Sequence, residues 1–191
     1  MSEKLFAVYL GGRAPKGNTE LHDVVFVTGE KIEDTYEQLM DKWFGTPEGL
    51  HIDSWMEVDV IDGYRVTLSK TKPEAGKKLY FVYLGAYRGN EFSEAHAVKL
   101  AVTDNAPEAK ARAKKELLVG LNIVHTDDLY DVDTCFEVGS VNSFHVVLTY
   151  TGEQENLKPT SAYHLVPKPL VEDYMRRHGL AKFARKERFY G

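Results

Sequence analysis

Cysteine is almost absent from this 191-residue chain, in which Cys135 stands alone. No disulfide can form within one chain, and no cysteine-based zinc site can be assembled. The setting Asp133-Thr134-Cys135-Phe136 places acid rather than cation beside the sulfur, which raises a thiol pKa, so Cys135 reads as structural. Long apolar runs are missing as well. Leu5 to Leu10 and Leu79 to Leu84 are the longest, at six residues each, against about 20 for a membrane-spanning helix. A short run behind Met1 to Lys4 is also too brief for a signal peptide, and a cytoplasmic protein is expected. No P-loop, dinucleotide fingerprint, His-Glu-x-x-His motif or nucleophile elbow occurs.

What the chain does have is a copy of itself. Leu5, Val8, Tyr9, Leu10 and Gly11 return 74 residues later as Leu79, Val82, Tyr83, Leu84 and Gly85. The same step carries Glu20 onto Glu94 and His22 onto His96. Continued without a gap, it carries His51 onto His125, Asp53 onto Asp127 and Val58 onto Val132. At 43% hydrophobic, 28% charged and 12% aromatic residues, the composition is that of a globular protein.

Each copy reads as strand, strand, helix, strand, strand. Leu5 to Leu10 is stopped by Gly11-Gly12, and His22 to Thr28 is a second, valine-rich strand. From Glu30 to Phe44, apolar residues fall at helical spacing, with Gly45 as the stop. Asp62-Gly63 between apolar runs marks a hairpin. In the second copy the helix follows Asn105 and replaces the bulky face by Ala106, Ala109, Ala113 and Leu117. Tyr64-Arg65-Val66 matches Phe144-His145-Val146, which gives the second copy's last hairpin loop six extra residues. The expected organisation is a first repeat over 1–70, a linker over 71–78, a second repeat over 79–152 and a basic helical extension over 153–191. The expected fold is α+β, with tandem ββαββ repeats and roughly eight strands packed about a pseudo-twofold axis.

Four histidines lie in the duplicated pattern, His22, His51, His96 and His125, each two residues from a carboxylate. Alternate residues of a strand share a face, so each pair can line one pocket. Imidazole with carboxylate suits a divalent transition metal, or acid–base catalysis in which the carboxylate orients the ring. Hydrogen-bonded histidines that fix loop ends are the alternative, and duplication preserves them equally well. The first copy is the better candidate, with His22, Asp23, His51 and Asp53 as catalytic groups, because Asp23 becomes Ala97 in the second. The loops at Gly11-Gly12-Arg13-Ala14-Pro15-Lys16 and Gly85-Ala86-Tyr87-Arg88 combine glycine with cations, so Arg13, Lys16 and Arg88 are candidates for holding an anion, against simple turn formation. Trp43 and Phe44 read as core.

The net charge of −5 is uneven. From Tyr174 onward, Arg176, Arg177, Lys182, Arg185, Lys186 and Arg188 face only Glu187, a balance of +5 that leaves −10 for the rest. This segment, with its aromatics, is suited to an acidic protein, to RNA, or to the chain's own acidic surface.

Tyr9-Leu10-Gly11-Gly12, Glu20-Leu21-His22-Asp23-Val24-Val25-Phe26-Val27 and Leu50-His51-Ile52-Asp53-Ser54-Trp55 resemble a bacterial family known as domain of unknown function 1543, which occurs in one or two copies per chain. The resemblance covers both repeats and leaves the C-terminal segment outside. It implies a cytoplasmic bacterial protein whose single-copy relatives dimerise, and brings no activity or cofactor. Two functions follow from the residues. One is a binding protein with a site at the repeat junction or the basic tail for an anionic or acidic partner. The other is a metal-dependent or His/Asp acid–base enzyme, hydrolytic, acting on an anionic substrate.

Overall fold

The structure, a computed structural model, describes residues 3–87, 92, 94–117 and 132–180. The first repeat runs β1 (Lys4–Gly12), β2 (Leu21–Gly29), a 3-10 turn (Ile32–Thr35), α1 (Tyr36–Lys42), β3 (His51–Glu57), β4 (Val60–Ile61) and β5 (Tyr64–Ser69). The second repeats it as β6 (Lys78–Tyr87), β7 (Glu94–Thr103), α2 (Ala106–Leu117), β8 (Val132–Glu137), β9 (Ser140–Val141) and β10 (Phe144–Tyr150). After these come β11 (Thr160–Leu165) and α3 (Lys168–Arg177). The fold is α+β with two repeats. Each repeat carries a third strand after its helix, so the layout is ββαβββ rather than ββαββ, because Val58-Asp59 interrupts the run that the hydrophobic pattern reads as one strand. Eleven strands are present among the described residues, not eight.

The chain forms two compact units, Met1–Val58 with Leu157–Gly191, and Asp59–Asn156. In the first, the sheet order is β11-β3-β1-β2. Alternation along β1 sends Phe6, Val8 and Leu10 to a core shared with Tyr36, Leu39 and Met40 of α1 and with Val171, Tyr174 and Met175 of α3. The helix is shorter than the expected Glu30–Phe44. Trp43 turns to an extended backbone, buries its ring and donates Nε1–H to the Thr46 carbonyl at 3.1 Å. Phe44, expected in the core, is 56% exposed. The extension over 153–191 contains a strand that the sequence pattern does not announce. β11 pairs with β3 and is tied to α1 by a 2.5 Å hydrogen bond between the Tyr36 hydroxyl and His164 Nε2.

In the second unit, a sheet of order β7-β6-β8 packs on α2, where Ala109 and Ala113 are fully buried against Tyr80, Val82 and Leu84. A second sheet, β4-β5-β10-β9, joins the last hairpins of both repeats. Its central pair is self-inverse: Val66 pairs with Leu148 and Leu68 with Val146, the same two positions exchanged. Asp62 (φ 53°) and Gly63 (φ 79°) make the tight turn that the Asp-Gly pair predicts. Among the described residues, no helix is long and apolar enough to cross a membrane.

Strand register also corrects the alignment of the repeats. Leu10 pairs with Ile52 and Tyr9 with Ser54, with a bulge between them; Leu84 pairs with Val132 and Tyr83 with Thr134, with the same bulge. Val58 N–H donates to the Leu5 carbonyl as Val138 N–H does to that of Leu79. After the helix, therefore, the repeats are related by 80 residues, not 74. The six extra residues lie between α2 and β8, not in the last hairpin, whose turns are two residues long in both copies. By this 80-residue step the sequence sets Asp133 rather than Asp127 against Asp53, and His125 is not the counterpart of His51.

Candidate functional site

The site grows from a glycine. Gly11 near the end of β1 lies directly opposite His22 on β2 and opposite His51 on β3, so three neighbouring strands place two imidazoles on either side of a residue with no side chain. Facing positions of antiparallel strands share a face of the sheet. A Cβ at Gly11 would collide with His51 Nε2 and stand 2.6 Å from Asp53 Oδ2. Asp53 is the extra residue of the β3 bulge, which re-aims its carboxylate between the two rings.

His51 is 1% exposed. Pro47 to Leu50 form a turn closed by Leu50 N–H to the Pro47 carbonyl, with Gly49 at φ 80°. The Gly49 carbonyl stands 2.9 Å from His51 Nδ1. A carbonyl only accepts, so Nδ1 carries the proton and Nε2 is the nitrogen turned to the cluster. It lies 3.1 Å from Glu20 Oε1 and 3.4 Å from Asp53 Oδ1, and the other oxygen of Asp53 lies 3.3 Å from His22 Nε2. Despite these separations, His51 Nε2 and Asp53 Oδ2 are buried without a hydrogen-bond partner. Such groups in a native fold call for a physical reason. Aromatic rings border the cluster: Tyr163 of β11 at 4.2 Å from the His51 ring, and Tyr9 stacked on His22 at 5.3 Å.

Of the residues expected at this site, His22, His51 and Asp53 come together. The pairing is crossed, with His51 meeting Glu20 and His22 meeting Asp53, rather than each histidine meeting its neighbour two residues away. Asp23 does not join them, since it pairs with Leu10 on the opposite face and accepts from Val24 N–H at 2.7 Å. Arg13 is exposed, and its carbonyl accepts from Thr46 N–H at 2.8 Å. Lys16 is exposed in a turn closed by Gly17 N–H to the Ala14 carbonyl. In the second repeat His96 stacks on Tyr83 at 4.8 Å as His22 does on Tyr9. Arg88 and His125 lie outside the described residues. Among the described residues, no group of three or more histidine, cysteine or acidic side chains surrounds a common point as a preformed metal site does.

Of the tail, Arg176 and Arg177 are described, and both bond Asp173, while Arg177 also reaches Glu37 Oε1 at 2.8 Å. These two face the chain's own carboxylates. Lys182, Arg185, Lys186 and Arg188 lie outside the described residues. Burial raises the Cys135 thiol pKa, against the opposite pull of Lys110. Tyr163 and the Gly49 carbonyl were missed, Tyr163 because nothing local marks β11 as a strand beside β3. Beside α3, a groove of about 740 Å³ is lined by Gly49, Leu165, Pro167, Val171, Met175 and Leu180, and apart from Gly49 shares no residue with the cluster.

The family described as Domain of Unknown Function (DUF1543) matches residues 17–68 and 91–139, together more than half of the chain. The chain belongs to this family. The first match contains all of Glu20, His22, His51 and Asp53, so the cluster lies within the DUF1543 domain and Tyr163 outside it. No curated protein matches the chain. A solved structure, the crystal structure of a protein Il1583 from Idiomarina loihiensis, is similar at 36% identity and a TM-score of 0.69, over 87% of this chain and 99% of that one. Neither the DUF1543 family nor that protein brings an activity with it.

Proposed function

We propose that this DUF1543 protein is a ligand-binding protein whose site is the Glu20–His22–His51–Asp53 cluster of its first repeat. The observation that carries this reading is the unpartnered Nε2 of a histidine only 1% exposed. A buried polar group without a partner costs about 1–3 kcal/mol, a cost more readily explained by a ligand than by the fold. The side chains around it favour a cationic or proton-donating ligand over an anion, because two carboxylates stand at the cluster. Tyr163 and Tyr9 add aromatic faces suited to a cation. The self-inverse register of β5 and β10 supports a fused pseudo-dimer, and the single cysteine supports a reducing, cytoplasmic setting.

Thermal unfolding with agmatine and spermidine, set beside succinate and phosphate, tests the reading. The organic cations should raise the midpoint of the parent and leave Asp53→Asn unmoved; stabilisation by the anions alone would refute it.

A second reading, acid–base catalysis, is favoured by one feature: the proton on His51 Nδ1 is held by Gly49 while Nε2 faces two carboxylates, the orientation a shuttling imidazole needs. Hydrolysis of ester and phosphate substrates by the parent, abolished in His51→Gln, is the expected result; equal rates would remove it.

A further inference from the structure

We infer that the ligand of the cluster includes one divalent transition-metal ion, held by His51 Nε2 with Asp53, Glu20 and His22. The inference rests on the proposal that the cluster is the ligand site, and names what fills it. Two donors that bind one tetrahedral zinc at about 2.0–2.1 Å stand about 3.3 Å from each other. The three separations at the cluster are 3.1, 3.3 and 3.4 Å.

The chemistry agrees with the spacing. His51 donates Nδ1–H to the Gly49 carbonyl, the outer bond that fixes a metal-binding imidazole with its lone pair forward. His51 Nε2 and Asp53 Oδ2 lack hydrogen-bond partners, and a cation bound between them satisfies both. Two nitrogens with two carboxylates suit zinc, manganese or iron better than calcium or magnesium, which take oxygen. Gly11 is what lets both rings approach. The donors do not surround one point in this structure, and holding one ion requires their side chains to close around it. His51 is fixed in the sheet, whereas the Glu20 and His22 side chains, 48% and 38% exposed, have room to shift.

One ion per chain is expected. The second repeat keeps His96 in the place of His22, but the 80-residue step sets an aspartate of the sequence, not a histidine, against His51, so one of the two imidazoles has no counterpart there.

Calorimetric titration of zinc and manganese into full-length, EDTA-stripped protein tests this, with cobalt absorption reporting the geometry. The parent should bind one ion, with the intense visible bands of four-coordinate cobalt. Asp53→Asn and His51→Ala should bind at least tenfold more weakly, and His96→Ala unchanged. Asp53→Asn, checked by circular dichroism, decides the matter if His51→Ala does not fold. No binding by the parent, or binding lost in His96→Ala and kept in Asp53→Asn, would overturn the inference. If zinc fails while agmatine still stabilises the parent and not Asp53→Asn, the metal is wrong and the site stands. If both fail, the site is wrong too.

Discussion

Thr67 and Val147 face each other across the antiparallel pair of β5 and β10, and they are the same position of the two repeats. The register of this pair is therefore unchanged when the two repeats are exchanged. Like charges placed directly opposite repel, by roughly 0.2–1 kcal/mol. The double variant Thr67→Lys with Val147→Lys should lose more stability than the two single variants together, by about 0.5 kcal/mol at low salt. A urea double-mutant cycle measures this, and zero coupling would contradict the register.

Leu39 and Ala113 also occupy equivalent places, each fully buried on its helix, yet they should respond oppositely to size. Leu39→Ala leaves a cavity and should cost about 2–5 kcal/mol. Ala113→Leu overfills the close contact with Tyr80 and Val82 and should cost about 1–3 kcal/mol. Urea denaturation of both variants gives the comparison. A neutral Ala113→Leu would mean that α2 packs less closely on its sheet than described.

Much of this was readable from residues alone, and what was not has a common cause. The duplication, both helices and the Asp62-Gly63 turn are local patterns, and each is present. The relation between β3 and β8 is not local. His125-Thr126-Asp127 imitates His51-Ile52-Asp53 at an unbroken 74-residue step, and only the pairing of Leu84 with Val132 shows that the true step there is 80. Likewise β11 is defined by β3, about a hundred residues earlier, and brings Tyr163 to His51. His22, His51 and Asp53 were identifiable as candidates; their crossed pairing depended on the bulge at Asp53.

Gly11 should tolerate no side chain. In Gly11→Ala the new methyl meets His51 and Asp53, and displacing them should cost roughly 1–3 kcal/mol and weaken zinc binding together. Unfolding and titration on the same sample provide the check. A variant as stable as the parent with full zinc affinity would show that the cluster does not need the glycine.

Tyr174 should make the protein sensitive to alkali. Burial, and then the hydrogen bond to Asp41 at 2.9 Å, push its phenol up to about 12 from 10.0. The folded protein holds this proton more tightly than the unfolded chain. Its stabilising contribution is thus complete below pH 10 and is lost as the pH rises through 12. Stability measured across that range should fall more steeply in the parent than in Tyr174→Phe. Parallel curves would rule out the shift.

His51 presents a committed nitrogen to the fold and an open one to a ligand. A long-range proton–nitrogen spectrum of the seven histidines, recorded during addition of zinc, tests it most directly. His51 should keep its proton on Nδ1 throughout, and its Nε2 resonance should move first and saturate at one equivalent. A His51 protonated only at Nε2, or one whose Nε2 stays still while exposed histidines shift, would contradict it.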